Sequence, residues 1–284
     1  MTDIRFILIL VPVVLLMNMV AYYVFVPSGY RNKNPSIGNG VDKQTFIREI
    51  LPYVGLVSFV YILIKSQGII VSEIVNVTGI HLDYSLAKDI FFIEGSRVSI
   101  FQTFTSPVLT DVSSFIYIFG FSSLLTFTFI FFMVTNQLKT LKEYTVALSF
   151  IYLVAFPFYI FTPVKVTGYT LPGMTPLLYN LSPLIANGMR TVDPFFDNCF
   201  PSLHAALSVL AMLFIIHRTN SKSLKVVAAF TTLAIQFTIF YLGIHWITDF
   251  IGGIMLALLS YYIATKYYSP MINKFHHVVG SDKQ

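Results

Sequence analysis

Residues 199–207 read CFPSLHAAL and residues 241–253 read YLGIHWITDFIGG. Both lead into apolar runs, and both put polar or titratable side chains at the entrance: Pro201, Ser202 and His204 in the first, His245 and Asp249 in the second. An apolar run of about 20 residues crosses the hydrocarbon core of a bilayer as a helix, because its backbone polar groups are then satisfied within the segment. Reading these runs as membrane helices with polar heads decides the fold.

The same reading extends along the chain. Of 284 residues, 56% are hydrophobic and only 11% are charged, which excludes an ordinary soluble domain. Seven runs predict membrane helices, over 4–26, 50–70, 112–135, 143–164, 202–217, 225–243 and 246–267. The fold class is therefore all-α, a polytopic membrane helix bundle of about six to seven spans. One membrane domain is expected, with N-terminal spans and an outer interfacial segment over 1–111 and the functional helix core over 112–267. Lys65 falls within the second span. The first run is expected to remain as a membrane helix, since no small-x-small cleavage pattern closes it before Val26-Pro27-Ser28-Gly29.

Charge sorts the loops. Twelve of the eighteen Lys and Arg, among them Arg31, Lys139, Lys142, Arg218 and Lys222, fall on one side. Five (Arg5, Lys88, Arg97, Lys165 and Arg190) fall on the other. The positive-inside tendency puts the twelve in the cytoplasm and both histidine motifs at the extracytoplasmic face of a cell, ER or Golgi membrane. The net charge of +5 is dispersed over these loops, so no nucleic-acid partner is expected. The single cysteine, Cys199, offers neither an intramolecular disulfide nor a Cys-rich metal site. Two outer segments are long enough to fold: 71–111, which suits an interfacial amphipathic helix, and the Pro- and Gly-rich 165–200, an irregular cover leading into the first motif.

The chemistry follows from spacing. Pro201 suits the first turn of a helix, with Asp197 or Asn198 before it as a cap. Ser202 and the free N–H groups of that turn then form a site for an anion such as phosphate. His204 on the same turn is placed to give or take a proton. His245 and Asp249, as i and i+4 on a helix, are neighbours; the carboxylate fixes the imidazole tautomer and leaves Nε2 as a free lone pair. Gly252-Gly253 lets that helix approach a neighbour closely and bring the motifs together, with the ring nitrogens of His204 and His245 ~4–8 Å apart on facing helices. Simpler roles fit the same residues: an interfacial cap for His204, an inert pair for His245 and Asp249, a lipid-phosphate anchor for Arg190, and an interfacial snorkel for Lys165.

Phe-Pro-Ser-Leu-His at 200–204 and His245-x-x-x-Asp249 before Gly-Gly resemble the second and third signature motifs of the type 2 phosphatidic acid phosphatase superfamily. Asn-Cys-Phe-Pro-Ser-Leu-His and Tyr-Leu-Gly-x-His-x-x-x-Asp look closer to its inositol phosphorylceramide synthase-like branch. The resemblance implies displacement at phosphorus through a phosphohistidine, with His245 attacking, Asp249 orienting it, and His204 protonating the leaving oxygen. It implies no metal and no other cofactor. The substrate would be a membrane lipid phosphate or polyprenyl diphosphate, with water or an alcohol as acceptor. The Ser-Arg pair that phosphatases of this superfamily carry before the nucleophilic histidine is replaced by Thr238 and Ile239, and of the first motif only Lys165 remains. Arg190 and Lys165 are the outer-side cations nearest to the first histidine motif, and with Ser202 they are the expected phosphate ligands. The rival class is a non-catalytic transporter or scaffold that retains the fold.

Overall fold

The computed structural model describes residues 4–31, 43–78, 85–191 and 193–268. Among the described residues, six helices are long and apolar enough to cross a membrane: α1 (Ile4–Phe25), α2 (Lys43–Thr78), α4 (Pro107–Val134), α5 (Leu138–Phe161), α7 (Lys222–Tyr241) and α8 (Ile247–Ile263, extended by a π turn to Tyr268). Between α2 and α4 lies the short helix α3 (Ser85–Glu94), and between α5 and α7 lies α6 (Leu203–Arg218). Among the described residues there is no strand, only an isolated bridge between Val164 and Asn198. The chain is an all-α polytopic bundle.

The fifth predicted span, 202–217, is α6, and at 16 residues it rises about 24 Å, short of a ~30 Å hydrocarbon core. Protein, not lipid, surrounds it. Ala205, Ala206, Leu207, Leu210, Ala211, Phe214 and Ile215 are all fully buried, packed by α4, α5, α7 and α8. By contrast Leu8 and Leu15 of α1, Phe230 and Leu233 of α7, and Met255 and Leu258 of α8 point outward, as a lipid-facing surface requires. The helix at the centre thus carries the first motif, and its neighbours carry the apolar load.

Several boundaries differ from expectation. The second span lies within a 36-residue helix, Lys43–Thr78, and is longer than predicted at both ends. The amphipathic segment expected over 71–111 is divided: its start belongs to α2, its end to α4, and α3 occupies the middle. Ala87, Ile90 and Glu94 are buried on one face of α3 while Phe91, Phe92 and Ile93 are exposed. In α4 a π turn at Ile116–Gly120 widens the helix. At the opposite end of the bundle from the histidine motifs, the fully buried Glu143 bonds Arg218 at 2.8 Å and closes α5 against the end of α6.

Candidate active site

Ser202, not Asp197 or Asn198, caps α6: its Oγ accepts from the N–H of Ala205 at 3.3 Å. Pro201 therefore precedes the cap instead of occupying the first turn. Its carbonyl accepts from Tyr159 Oη at 2.7 Å, which anchors the entry to the helix. His204 is the second helical residue. Its ring stacks on Tyr117 at 4.1 Å between centroids and lies 4.3 Å from Phe121. Tyr117 lies within the π turn of α4, and Phe121 directly follows it.

The second motif begins where α7 ends. Gly243, at φ +74°, closes α7 in the left-handed conformation that favours glycine, and a Cβ there would stand 2.5 Å from the carbonyl of Thr175. His245 is not inside a helix, since α8 begins at Ile247 with Trp246 as its cap. Asp249, in the first turn, reaches back over that cap: its Oδ2 accepts from the N–H of Trp246 at 2.9 Å and lies 3.4 Å from His245 Nδ1. The pairing read from i, i+4 spacing is thus made by a capping carboxylate. Asp249 is fully buried, and His245 is 3% exposed.

Backbone contacts join the motifs. The N–H of Ser202 donates to the carbonyl of Asp249 at 3.0 Å. A Cβ on Gly253 would lie 2.5 Å from the carbonyl oxygen of Ser202 and 2.9 Å from Ala205 Cβ, so α8 crosses α6 at a distance that only glycine permits. As a result the rings of His204 and His245 stand 6.1 Å apart between centroids. The extended segment after α5 laces both motifs: Val164 N–H to Asp197 O (2.8 Å), Cys199 N–H to Val164 O (3.3 Å), Thr167 N–H to Ile244 O (3.3 Å) and Gly168 N–H to Gly243 O (2.8 Å). Cys199 is buried here, and desolvation together with the charges of Asp249, Asp193 and Asp197 holds its thiol well above the usual range.

The remaining predicted residues sit around this core. Ser202 is fully buried as the cap. Lys165 is exposed in the lacing segment, and its carbonyl accepts from Trp246 Nε1 at 3.0 Å, next to His245. Arg190 is exposed, with its guanidinium 4.3 Å from the Phe196 ring and Nη1 donating to the carbonyl of Pro194 at 3.2 Å. Nearby, Asp193 accepts from the N–H groups of Asp197 and Asn198, and burial beside Asp197 pushes its carboxyl up to about 7. Thr238 and Ile239 are buried, and the Ile239 carbonyl accepts from the N–H groups of Ile244 and His245 at 3.1 Å each. No cation stands at those two positions.

Sequence reasoning missed Glu94. Buried at the end of α3, its carboxylate accepts from Ile247 N–H (3.1 Å), Thr248 N–H (2.8 Å) and Thr248 Oγ1 (2.9 Å). It takes up the first N–H groups of α8, a favourable place for negative charge. Among the described residues no acceptor meets the N–H groups of Leu203 and His204, so the open helix start is that of α6. The signal was the phase of Ala87, Ile90 and Glu94, which puts a carboxylate on the apolar face of α3. Glu94→Ala is expected to lower stability by about 1–2 kcal/mol, as loss of a cap does. It will lower kcat more than it raises KM, because His245 immediately precedes the helix start that Glu94 holds; thermal melting and steady-state kinetics check both.

The helices and the paired histidines define an integral membrane protein with one buried polar centre at the heads of two adjoining helices. A family model described as the PAP2 superfamily matches residues 96–263, more than half of the chain, and the protein belongs to that superfamily of lipid phosphatase-type phosphoesterases. Neither the curated proteins nor the solved structures compared with this chain match it.

Proposed function

We propose that the protein is a lipid phosphatase or phosphotransferase that cleaves a phosphoester or diphosphate bond of a membrane lipid through a phosphohistidine on His245. The observation that carries this reading is the meeting of His204 and His245 at 6.1 Å, with Asp249 behind His245 and the unoccupied N–H groups of Leu203 and His204 beside them. Asp249 keeps the proton on Nδ1, so Nε2 presents its lone pair to phosphorus. As the N–P bond forms, the P–O bond to the lipid breaks, and His204 gives its proton to the departing oxygen. In the second step water or an alcohol attacks phosphorus, His204 takes its proton, and the N–P bond breaks.

Charge on the phosphoryl oxygens needs compensation in such a transfer. In this reading the α6 helix start, shaped by Ser202, supplies N–H donors, and Lys165 and Arg190 supply positive charge. The site faces the extracytoplasmic side, since the basic residues Lys139, Lys142, Arg218 and Lys222 gather at the other end of the helices. Transfer of a phosphoalcohol headgroup to a lipid acceptor is the second reading. It is favoured by the absence of an arginine clamp at Thr238 and Ile239 and by the likeness to the inositol phosphorylceramide synthase-like branch.

The test is turnover of a panel of labelled phosphatidate, polyprenyl diphosphate and phosphoinositol lipids by the purified protein in detergent, with acid and alkaline trapping of the enzyme. A label on the protein that is lost in acid and kept in alkali is expected. An acid-stable label during turnover would overturn the histidine intermediate. No release and no headgroup transfer from any lipid would leave the scaffold reading.

A further inference from the structure

Cys199 is absent from the chemistry above, yet it lies against its centre. Its Sγ, a ring nitrogen of His245 and a carboxylate oxygen of Asp249 all lie within 4.8 Å of one another, and all three residues are buried. A second observation is independent of the cysteine: Asp249 Oδ1 is buried with no hydrogen-bond partner among the described residues, although Oδ2 has two contacts. An unpaired carboxylate oxygen in such a place is costly unless something binds it.

We propose that Cys199, His245 and Asp249 form a binding site for a thiophilic divalent metal ion of the zinc class, and that the metal switches the enzyme off. One sulfur, one imidazole nitrogen and one carboxylate oxygen, with a fourth position open, select zinc or cobalt over magnesium or calcium. The ligands come from two places that the fold already joins. Cys199 is fixed by its backbone bond to Val164, and Asp249 by the N–H of Trp246.

Binding has a defined proton balance. The metal displaces the proton of the Cys199 thiol, which leaves to solvent. It takes the lone pair of His245 at Nδ1, so the ring proton moves to Nε2 and the imidazole stays neutral. Nε2–H has no lone pair for phosphorus, and the first step of transfer stops. The inhibition rests on the proposed role of His245; the metal site itself does not.

The experiment titrates cobalt into the full-length protein in detergent, wild type beside Cys199→Ser and Cys199→Ala, and follows the thiolate-to-cobalt charge-transfer band. In parallel, zinc inhibition of phosphoryl turnover is measured with and without a chelator. A band in wild type that both variants lose is expected. Zinc inhibition should be reversed by chelator and need at least about tenfold more metal in the two variants, which keep their basal turnover. No band in wild type, or a band unchanged by either variant, overturns the site. A band without zinc inhibition of an active enzyme overturns the switch alone. If no lipid is turned over, the band still decides whether the metal binds, so the two readings fail separately.

Discussion

Alanine at His245 will reduce turnover about 10⁴-fold or more, to the background of a site that binds but cannot form the covalent intermediate. The acid-labile label on the protein will vanish with it. Alanine at His204 will behave differently. Loss of a general acid costs about 10²–10⁴-fold when the leaving group is a lipid alkoxide, which must be protonated as it departs. With p-nitrophenyl phosphate, whose phenolate leaves unaided, the first step will be largely restored and seen as a burst of phenolate, while steady turnover stays slow at the attack of water and labelled enzyme accumulates. The contrast follows from the geometry: only His245 has a carboxylate behind its ring, whereas His204 is held between Tyr117 and Phe121. A His204 variant without that burst would remove the division of labour. Melting of His245→Ala should fall below wild type, because the change leaves a cavity and takes the imidazole from the buried Asp249, so turnover is compared on protein shown to be folded.

Leucine at Gly253 will separate the histidines without touching either. Even the Cβ of alanine would meet the Ser202 carbonyl at 2.5 Å and Ala205 Cβ at 2.9 Å, and both belong to the well-buried start of α6. Overpacking of this kind costs about 1–3 kcal/mol for added methylenes in a filled core, and leucine lies at or beyond the upper end. The displaced helix carries Asp249, so a shift of about 1 Å is enough to lower turnover ~10²-fold. Gly253→Ala will show the same direction with a smaller effect. Gly55, in α2, is the control: nothing lies within 4 Å of an added Cβ, and Gly55→Ala should be neutral or slightly stabilising. Thermal melting together with kcat on one lipid substrate separates the two sites.

Much of the site was legible because its signals are local. His245 and Asp249 are four residues apart, and that spacing brings them together whether the histidine is inside the helix or just before it. The glycines beside them were readable as a close crossing, and in the structure Ser202 and Ala205 lie against Gly253. Cap assignment was less legible. Asp197, Asn198 and Ser202 are all good caps by type, and only the path of the chain chose Ser202.

Glu94, Tyr117, Phe121 and Cys199 were out of reach for a different reason. Glu94 meets Ile247 across 153 positions, and no short-range pattern carries that distance. The π turn that holds Tyr117 and precedes Phe121 lies in an apolar run with the same composition as its neighbours.

Apolar length and the lone polar heads were sufficient to determine a multi-span membrane helix bundle with a histidine pair and a carboxylate at the helix starts, because burial in lipid admits few backbone solutions. The tertiary structure alone decided that the central helix is the short one, that the open N–H groups belong to α6 because Glu94 occupies those of α8, and that Cys199 stands beside His245. These depend on which side chains meet after distant segments pack, and in a bundle that outcome is set by close contacts between helices rather than by the pattern along any one of them.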